Sequence, residues 1–359
     1  MSLQTRLAEM RKNPALFWPG VIMIAVALIA LPFALAMVGT AWVRITNFAI
    51  LFVLLSLGLN IVVGFAGLLD LGYIAFYAVG AYVYALLASP HFGLHLPFWI
   101  ILPICALVAC IFGVLLGAPT LKLRGDYLAI VTLGFGEIVR IFMNNLSEPI
   151  NITNGPKGIS TIDSIKIGTI DFGKDTRIGD FILSGTIKYY FLLLVIMLIV
   201  IVINRRLQNS RIGRAWEAIR EDEMAARAMG INTTRIKLLA FAMGASFGGI
   251  AGGMFSAIQG FISPESFVLN ESVMVLAMVV LGGMGNIIGV VIGAILLSFV
   301  PEILRYTVEP AQMALFGKMW IEPEVLRMLL FGFAMVLMML FRPAGLLPSA
   351  IRKREFTKE

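Results

Sequence analysis

Runs of about 20 mostly apolar residues, the length at which a helix crosses about 30 Å of hydrocarbon, recur from Phe17 to Phe341 with no soluble block between them. Inside a bilayer every backbone N–H and C=O has to be paired within the protein, so such runs become helices. The template places spans at residues 17–38, 46–66, 71–88, 97–117, 127–143, 187–203, 237–258, 271–283, 286–304 and 325–341. The expected fold is therefore an all-α polytopic membrane protein with about ten transmembrane helices. Two spans fit the template least closely. The stretch 127–143 carries Glu137 and Arg140, and 271–283 is short and ends in Gly282, Gly283 and Gly285, so either accommodates a re-entrant course.

Composition agrees. Hydrophobic residues make up 59% of the chain and charged residues 14%, against about 45–50% and about 25% in a soluble domain. The net charge of +7 does not point to nucleic acid, because the basic residues lie in loops beside apolar spans, where retention on the cytoplasmic side already places them. Arg6, Arg11 and Lys12 put the N-terminus inside. Ten crossings then bring Lys122 and Arg124, the segment 204–237, and the tail with Arg342, Arg352, Lys353 and Arg354 to the same side. The chain thus divides into a cytoplasmic stretch 1–16, one transmembrane domain 17–341 and a cytoplasmic tail 342–359. Ala34-Leu35-Ala36 is similar to a signal-peptide cleavage site, but the apolar core before it is long and a second span follows at once, which favours a retained helix. Cys105 and Cys110 share one apolar run and read as buried structural residues.

The charged island 204–237 reads as a helix lying along the membrane. Ser210 caps its start, Ile212, Trp216, Ile219, Met224, Ala228 and Met229 form an interrupted apolar stripe, and Gly230 stops it. Glu217, Glu221, Asp222 and Glu223 alternate with Arg214, Arg220 and Arg227, and Glu223 stands four residues before Arg227, a spacing that supports a helix. A solvated surface helix accounts for the charges; Trp216 and the pair Ala225-Ala226 beside Gly230 suit a partner's groove better. The extracytoplasmic segment 144–186 is rich in glycine and alternates over Ile165–Phe172, which predicts a short hairpin. It reads equally as a connector and as a docking surface.

Glycine is the second signal. Gly248 and Gly252, and Gly285, Gly289 and Gly293, recur at four-residue steps that let helices touch backbone to backbone. The clusters Gly64, Gly67, Gly72 and Gly282, Gly283, Gly285 are denser than packing needs and predict interrupted helices, tolerated only where protein or a water-filled path covers the backbone. Glu137 and Arg140, three apart, form an expected internal ion pair, whereas Asp70, Asn60 and Glu271 fall near span ends. This density of charge is too low for a proton relay. His91 and His95 flank Gly93 after Pro90, a poor helix without a further ligand, so no metal site is expected. The nearest approach to a phosphate loop, Gly168 to Asp175, has Asp175 where a magnesium-holding hydroxyl belongs. No catalytic constellation is present either. The chain reads as a transport subunit rather than an enzyme, and any ATP that drives it binds elsewhere.

The stretches Gly58–Tyr73, Leu123–Arg140, Gly213–Glu223, Gln259–Ser266, Val280–Asn286 and Arg342–Pro348 closely resemble those of the LivM-type permease subunits of bacterial branched-chain amino acid ABC importers. The resemblance runs from about the second span to the C-terminus. It implies a multi-pass protein of the bacterial inner membrane that pairs with a second permease, sits on two cytoplasmic ATP-binding subunits and receives leucine, isoleucine or valine from a periplasmic binding protein. By the same resemblance ATP and Mg belong to the partner subunits, and this chain binds no cofactor. The resemblance makes 213–230 the coupling segment, with Gly213, Arg214, Ala215, Trp216, Glu217, Ala218, Ile219, Arg220, Glu221, Ala225, Ala226 and Gly230 as its candidate contacts. Glu217-Ala218 is followed by Ile219, and the next glycine comes only at Gly230, a departure from the usual coupling-loop pattern. Asn60, Gly64, Gly67, Gly72, Glu137, Gly282, Gly283 and Gly285 are the candidates for the translocation path. Permeases for urea or other amides are similar, and a secondary amino acid transporter is the alternative of another class.

Overall fold

A computed structural model describes residues 14–121, 123, 125–148, 151–168, 170–178, 181–316, 322–341 and 345–347. The expectations built on Arg6, Arg11, Lys12, Lys122, Arg124, Arg342, Arg352, Lys353 and Arg354 lie outside the described residues.

The apolar runs fold as helices α1 (Pro14–Val38), α2 (Thr40–Leu59), α3 (Ile74–Leu87), α4 (Phe98–Thr120), α5 (Asp126–Asn145) and α6 (Gly185–Gln208). The island supplies α7 (Arg211–Glu221) and α8 (Glu223–Ala228), after which α9 (Thr233–Gln259), α10 (Leu269–Gly282), α11 (Ile287–Phe316) and α12 (Pro323–Phe341) follow. Among the described residues six stretches are long and apolar enough to cross a membrane: Thr40–Phe65, Phe98–Thr120, Gly185–Gln208, Thr233–Gln259, Pro264–Gly282 and Ile287–Val308. Ile22–Val38 and Ile74–Leu87 are apolar but shorter.

Helix α9 is the axis of the bundle, and glycine makes it so. Gly244, Gly248 and Gly252 form one stripe that meets α2 and α3, while Gly249 and Gly253, one residue on, face Cys105 of α4. The approach is backbone to backbone. A Cβ on Gly252 would overlap the Tyr77 carbonyl oxygen, and one on Gly249 would lie 2.5 Å from the Cys105 carbonyl oxygen. Tyr73 closes the seam by donating from its hydroxyl to the Gly244 carbonyl at 2.8 Å. Helices that cannot rely on a hydrophobic drive between them gain from this density of contact and from such bonds. Cys105 is fully buried, as the sequence suggested, while Cys110 is half-buried.

Two helices break where glycine clusters predicted it. The end of α2 widens into a π-helical turn, Asn60–Phe65, and the chain runs on without helix until α3 starts at Ile74. Likewise α10 stops at Gly282, and Gly283 and Gly285 take positive φ of 113° and 83° before α11 begins. The end of α10 is closed from a distance: Leu346 N–H donates to the Leu281 carbonyl (2.9 Å), Leu347 N–H to that of Gly282 (3.1 Å), and Asn286 Nδ2 to the Leu347 carbonyl (2.9 Å). These bonds satisfy carbonyls that a helix terminus leaves bare.

The segment after α5 carries the expected hairpin, β2 (Lys166–Ile167) paired antiparallel with β3 (Ile170–Asp171), and adds β4 (Thr176–Ile178) with β5 (Phe181–Leu183). Its first strand, β1 (Ile159–Ser160), pairs with β6 (Phe261–Ile262) just beyond α9, so the segment is strapped to the bundle's axis rather than hanging free. Lys188, buried in the first turn of α6, ties the hairpins down through Nζ, which donates to the carbonyls of Asp171 (2.8 Å) and Lys174 (2.7 Å) and to Thr176 Oγ1 (2.6 Å). A hydrogen bond from a charged donor contributes about 1.5–3 kcal/mol. Lys188→Met is therefore expected to speed tryptic cleavage after Lys174 and Arg177 at least tenfold in the native protein; an unchanged rate disproves the anchor.

Candidate coupling face and broken-helix site

The island is two helices rather than the single one expected. Asp222, with φ −156° and ψ 109°, ends α7 and caps α8, its Oδ1 accepting from the N–H groups of Met224 (2.8 Å) and Ala225 (3.0 Å). Ser210 caps α7 through Gly213 N–H at 3.2 Å. Glu223 then binds both Arg227 (3.3 Å) and the buried Lys237 of α9 (2.7 Å), which fixes α8 to the bundle. Gly230, at φ 88°, turns the chain into α9.

The expected apolar stripe is split: Trp216 and Ile219 turn inward, whereas Met224, Ala228 and Met229 stay exposed. Trp216, Ile219, Gly213 and Ala226 are buried within this chain, and the Trp216 indole donates to the Ile236 carbonyl at 2.7 Å. A large ring with a satisfied N–H is an anchor, and it holds α7 against α9. The outward face consists of Arg214, Glu221, Ala225, Arg227 and Ala228 with Met224 and Met229, 70% and 72% exposed. Ala215, Glu217 and Ala218 lie between the two faces. Partial burial, then the neighbouring Glu221 charge, hold the Glu217 carboxyl above the usual carboxylate range against the opposing pull of Arg220 and Arg214.

Arg220 points the other way and joins the island to the first helix break, which in turn meets the second through Asn60. Its guanidinium donates to the Gly64 carbonyl, and its stem lies on Gly67, where an added Cβ would come within 2.8 Å of Arg220 Cγ. The carbonyl is available because helix ends at Phe65 and the Leu68 N–H, four residues on, bonds to the Val62 carbonyl instead. One turn earlier the fully buried Asn60 accepts the Gly285 N–H on Oδ1 at 2.8 Å, and Gln208 of α6 donates to the Gly285 carbonyl at 3.3 Å. The candidates Asn60, Gly64, Gly67 and Gly285 thus meet in one locus together with Gln208, which the sequence reading missed. Gly282 packs on Gly289 beside it, and Gly283 lies against Gly345.

Gly72 and Glu137 belong to a second locus at the far end of the same non-helical stretch. Gly72 lies so close to α5 that a Cβ would overlap the Thr132 carbonyl. Leu71 is held on both sides, its N–H by Thr132 Oγ1 (3.0 Å) and its carbonyl by Ser272 Oγ (2.6 Å). A cavity of about 130 Å³ opens there, lined by Leu71, Ile74, Leu133, Gly136, Glu137, Phe267 and Leu269. At its edge the expected pair forms, with Arg140 Nε donating to Glu137 Oε1 at 3.0 Å, and Arg140 also reaches Glu265 Oε1 at 3.2 Å. The side chains are 25% (Arg140), 40% (Glu137) and 68% (Glu265) exposed, so the group forms the rim of a cavity rather than a sealed interior pair. His91 and His95 turn to separate partners, the Asn151 carbonyl at 3.1 Å and the Asp163 carboxylate.

A multi-pass helical membrane protein with interrupted helices converging on a charged amphipathic face is the class that this geometry defines. Within it the chain belongs to the family described as branched-chain amino acid transport system / permease component, whose model matches residues 41–339. It is 47% identical over 345 residues to the high-affinity branched-chain amino acid transport system permease protein LivM of Salmonella typhimurium, covering 93% of this chain and 75% of that one. To a probable branched-chain amino acid transport permease protein LivM of Methanocaldococcus jannaschii it is 27% identical over 256 residues, 69% of this chain and 68% of that one. A shorter match, 38% over 93 residues, links it to the LivH permease protein of Salmonella typhimurium, over 26% of this chain and 30% of LivH. No solved structure matches.

Proposed function

We propose that this chain is the membrane permease subunit of an ATP-driven importer for leucine, isoleucine and valine. The observation that carries the reading is the 47% identity over 93% of the chain to a permease protein of a branched-chain amino acid transport system. In this reading ten helices cross the bacterial inner membrane with both termini in the cytoplasm, and a second, related permease completes the path. Two ATP-binding subunits hold ATP and Mg and grip the outward face of α7 and α8, while a periplasmic protein delivers the amino acid to the extracytoplasmic segment 144–186. Closure of the ATPases moves α7 and α8; Arg220 passes the movement to the break at Gly64–Gly72, and Asn60 passes it to Gly285, so that both interrupted helices shift together.

The paired replacement Met224→Glu and Met229→Glu tests the grip. Both side chains are exposed, so the fold tolerates the change, and two buried carboxylates facing a partner's groove disfavour docking. Uptake of radiolabelled leucine by cells is expected to fall at least tenfold, and the ATPase to be lost from the purified complex, with the permease still in the membrane. Undiminished uptake refutes this docking face. Wild-type cells that take up urea in place of leucine refute the substrate.

A further inference from the structure

The cavity between α3, α5 and the short 3-10 turn at 264–267 carries more chemistry than a packing defect does. Its apolar wall of Leu71, Ile74, Leu133, Phe267 and Leu269 encloses about 130 Å³. An apolar protein cavity of about 150 Å³ takes up benzene, so this one is of a size for a branched alkyl group of three or four carbons. Its only charged lining residue is Glu137, whose Oε1 takes both bonds from Arg140, while Oε2 takes none among the described residues. Arg140 spends three donors, on Glu137 and Glu265, out of the five N–H groups of a guanidinium. The rim therefore holds a free carboxylate oxygen and two spare N–H groups beside an apolar hole, with one net negative charge over Glu137, Arg140 and Glu265.

We propose that this cavity is a transit subsite for a free α-amino acid with a branched alkyl side chain. The alkyl group enters the apolar hole, the ammonium sits on Glu137 Oε2, and the carboxylate takes the remaining Arg140 donors. The proposal rests on the importer reading and deepens it by naming residues that meet the cargo. It also supplies a means of release. Leu71 is part of the cavity wall, and four residues earlier in the same non-helical stretch Gly67 lies under Arg220 of α7. Displacement of α7 moves the wall without any change at the rim.

The test is equilibrium dialysis of tritiated leucine against the complete importer in detergent, without its periplasmic binding protein. The wild-type complex is expected to bind leucine saturably, and Leu133→Phe, which fills the hole, to weaken binding at least tenfold. No saturable binding by the wild type, or equal affinity in the variant, overturns the proposal. Should Leu133→Phe fail to assemble, Glu137→Gln at the 40%-exposed rim position stands in, with the same expected loss and the same overturning result. Failure of the importer reading shows itself separately, as absence of leucine uptake by cells that carry the wild-type complex.

Discussion

Gly252→Leu is expected to remove the folded permease from the membrane. At this position the new Cβ would overlap the Tyr77 carbonyl oxygen and stand 2.7 Å from the Ala81 N–H nitrogen, both of them backbone atoms of α3. No side-chain rotation relieves either contact, so α9 has to move away from α3, and the seam formed by Gly80 against Gly249 and by Tyr73 against Gly244 parts with it. Overpacking a well-filled core costs about 1–3 kcal/mol and occasionally more, and a whole protein is stable by only about 5–15 kcal/mol. A displaced central helix touching three neighbours stands at the upper end of that range. Gly134→Ala is the control, because nothing lies within 4 Å of a Cβ there. Membrane abundance and a monodisperse elution profile in detergent are the measurements: the first variant is expected to lose both, the second neither. A normal profile for Gly252→Leu shows that the bundle is not clamped at this seam.

Arg220→Ala is expected to separate ATP hydrolysis from transport. Removing a charged donor from a carbonyl costs about 1.5–3 kcal/mol, which is about 10- to 150-fold in a rate or equilibrium. Leucine uptake is expected to fall in that range, with ATP hydrolysis by the purified complex continuing, because the outward face of α7 and α8 is untouched. Arg220→Lys keeps the charge and an aliphatic stem over Gly67 but not the guanidinium that donates to the Gly64 carbonyl, and restores uptake only in part. Equal losses of uptake and hydrolysis would place Arg220 in the grip on the ATPase rather than in the link behind it.

Much of this architecture was legible in the sequence because bilayer physics leaves few options. Length and apolarity located the helices, glycine density located both breaks, and Ser210, Gly230 and the Ile165–Phe172 alternation marked a cap, a stop and a hairpin that the structure contains. The direction of the island's apolar stripe was not legible. Periodicity says that Trp216 and Ile219 share a face but not what covers it, and the cover turned out to be α9 of the same chain. The break at Asp222 did leave a signal, an aspartate ahead of Glu223 in cap position, and missing it hid the change of phase that turns Met224 and Met229 outward. Contacts between distant segments left none. Asn60 meets Gly285 across 225 residues and Arg140 meets Glu265 across 125, and no local pattern encodes such a pairing. Gln208, Ser272 and Lys188 were passed over for the same reason, as ordinary polar residues near helix ends.

The closure of α10 by residues 345–347 sets the order in which the molecule can be completed. Until that stretch is synthesised, the carbonyls of Leu281 and Gly282 lack the N–H groups that later cover them, and the turn carrying Gly285 rests on Asn60 and Gln208. Among the described residues this is the fastening of α10 that comes latest in the chain, and a nascent chain interrupted short of residue 345 leaves those two carbonyls uncovered.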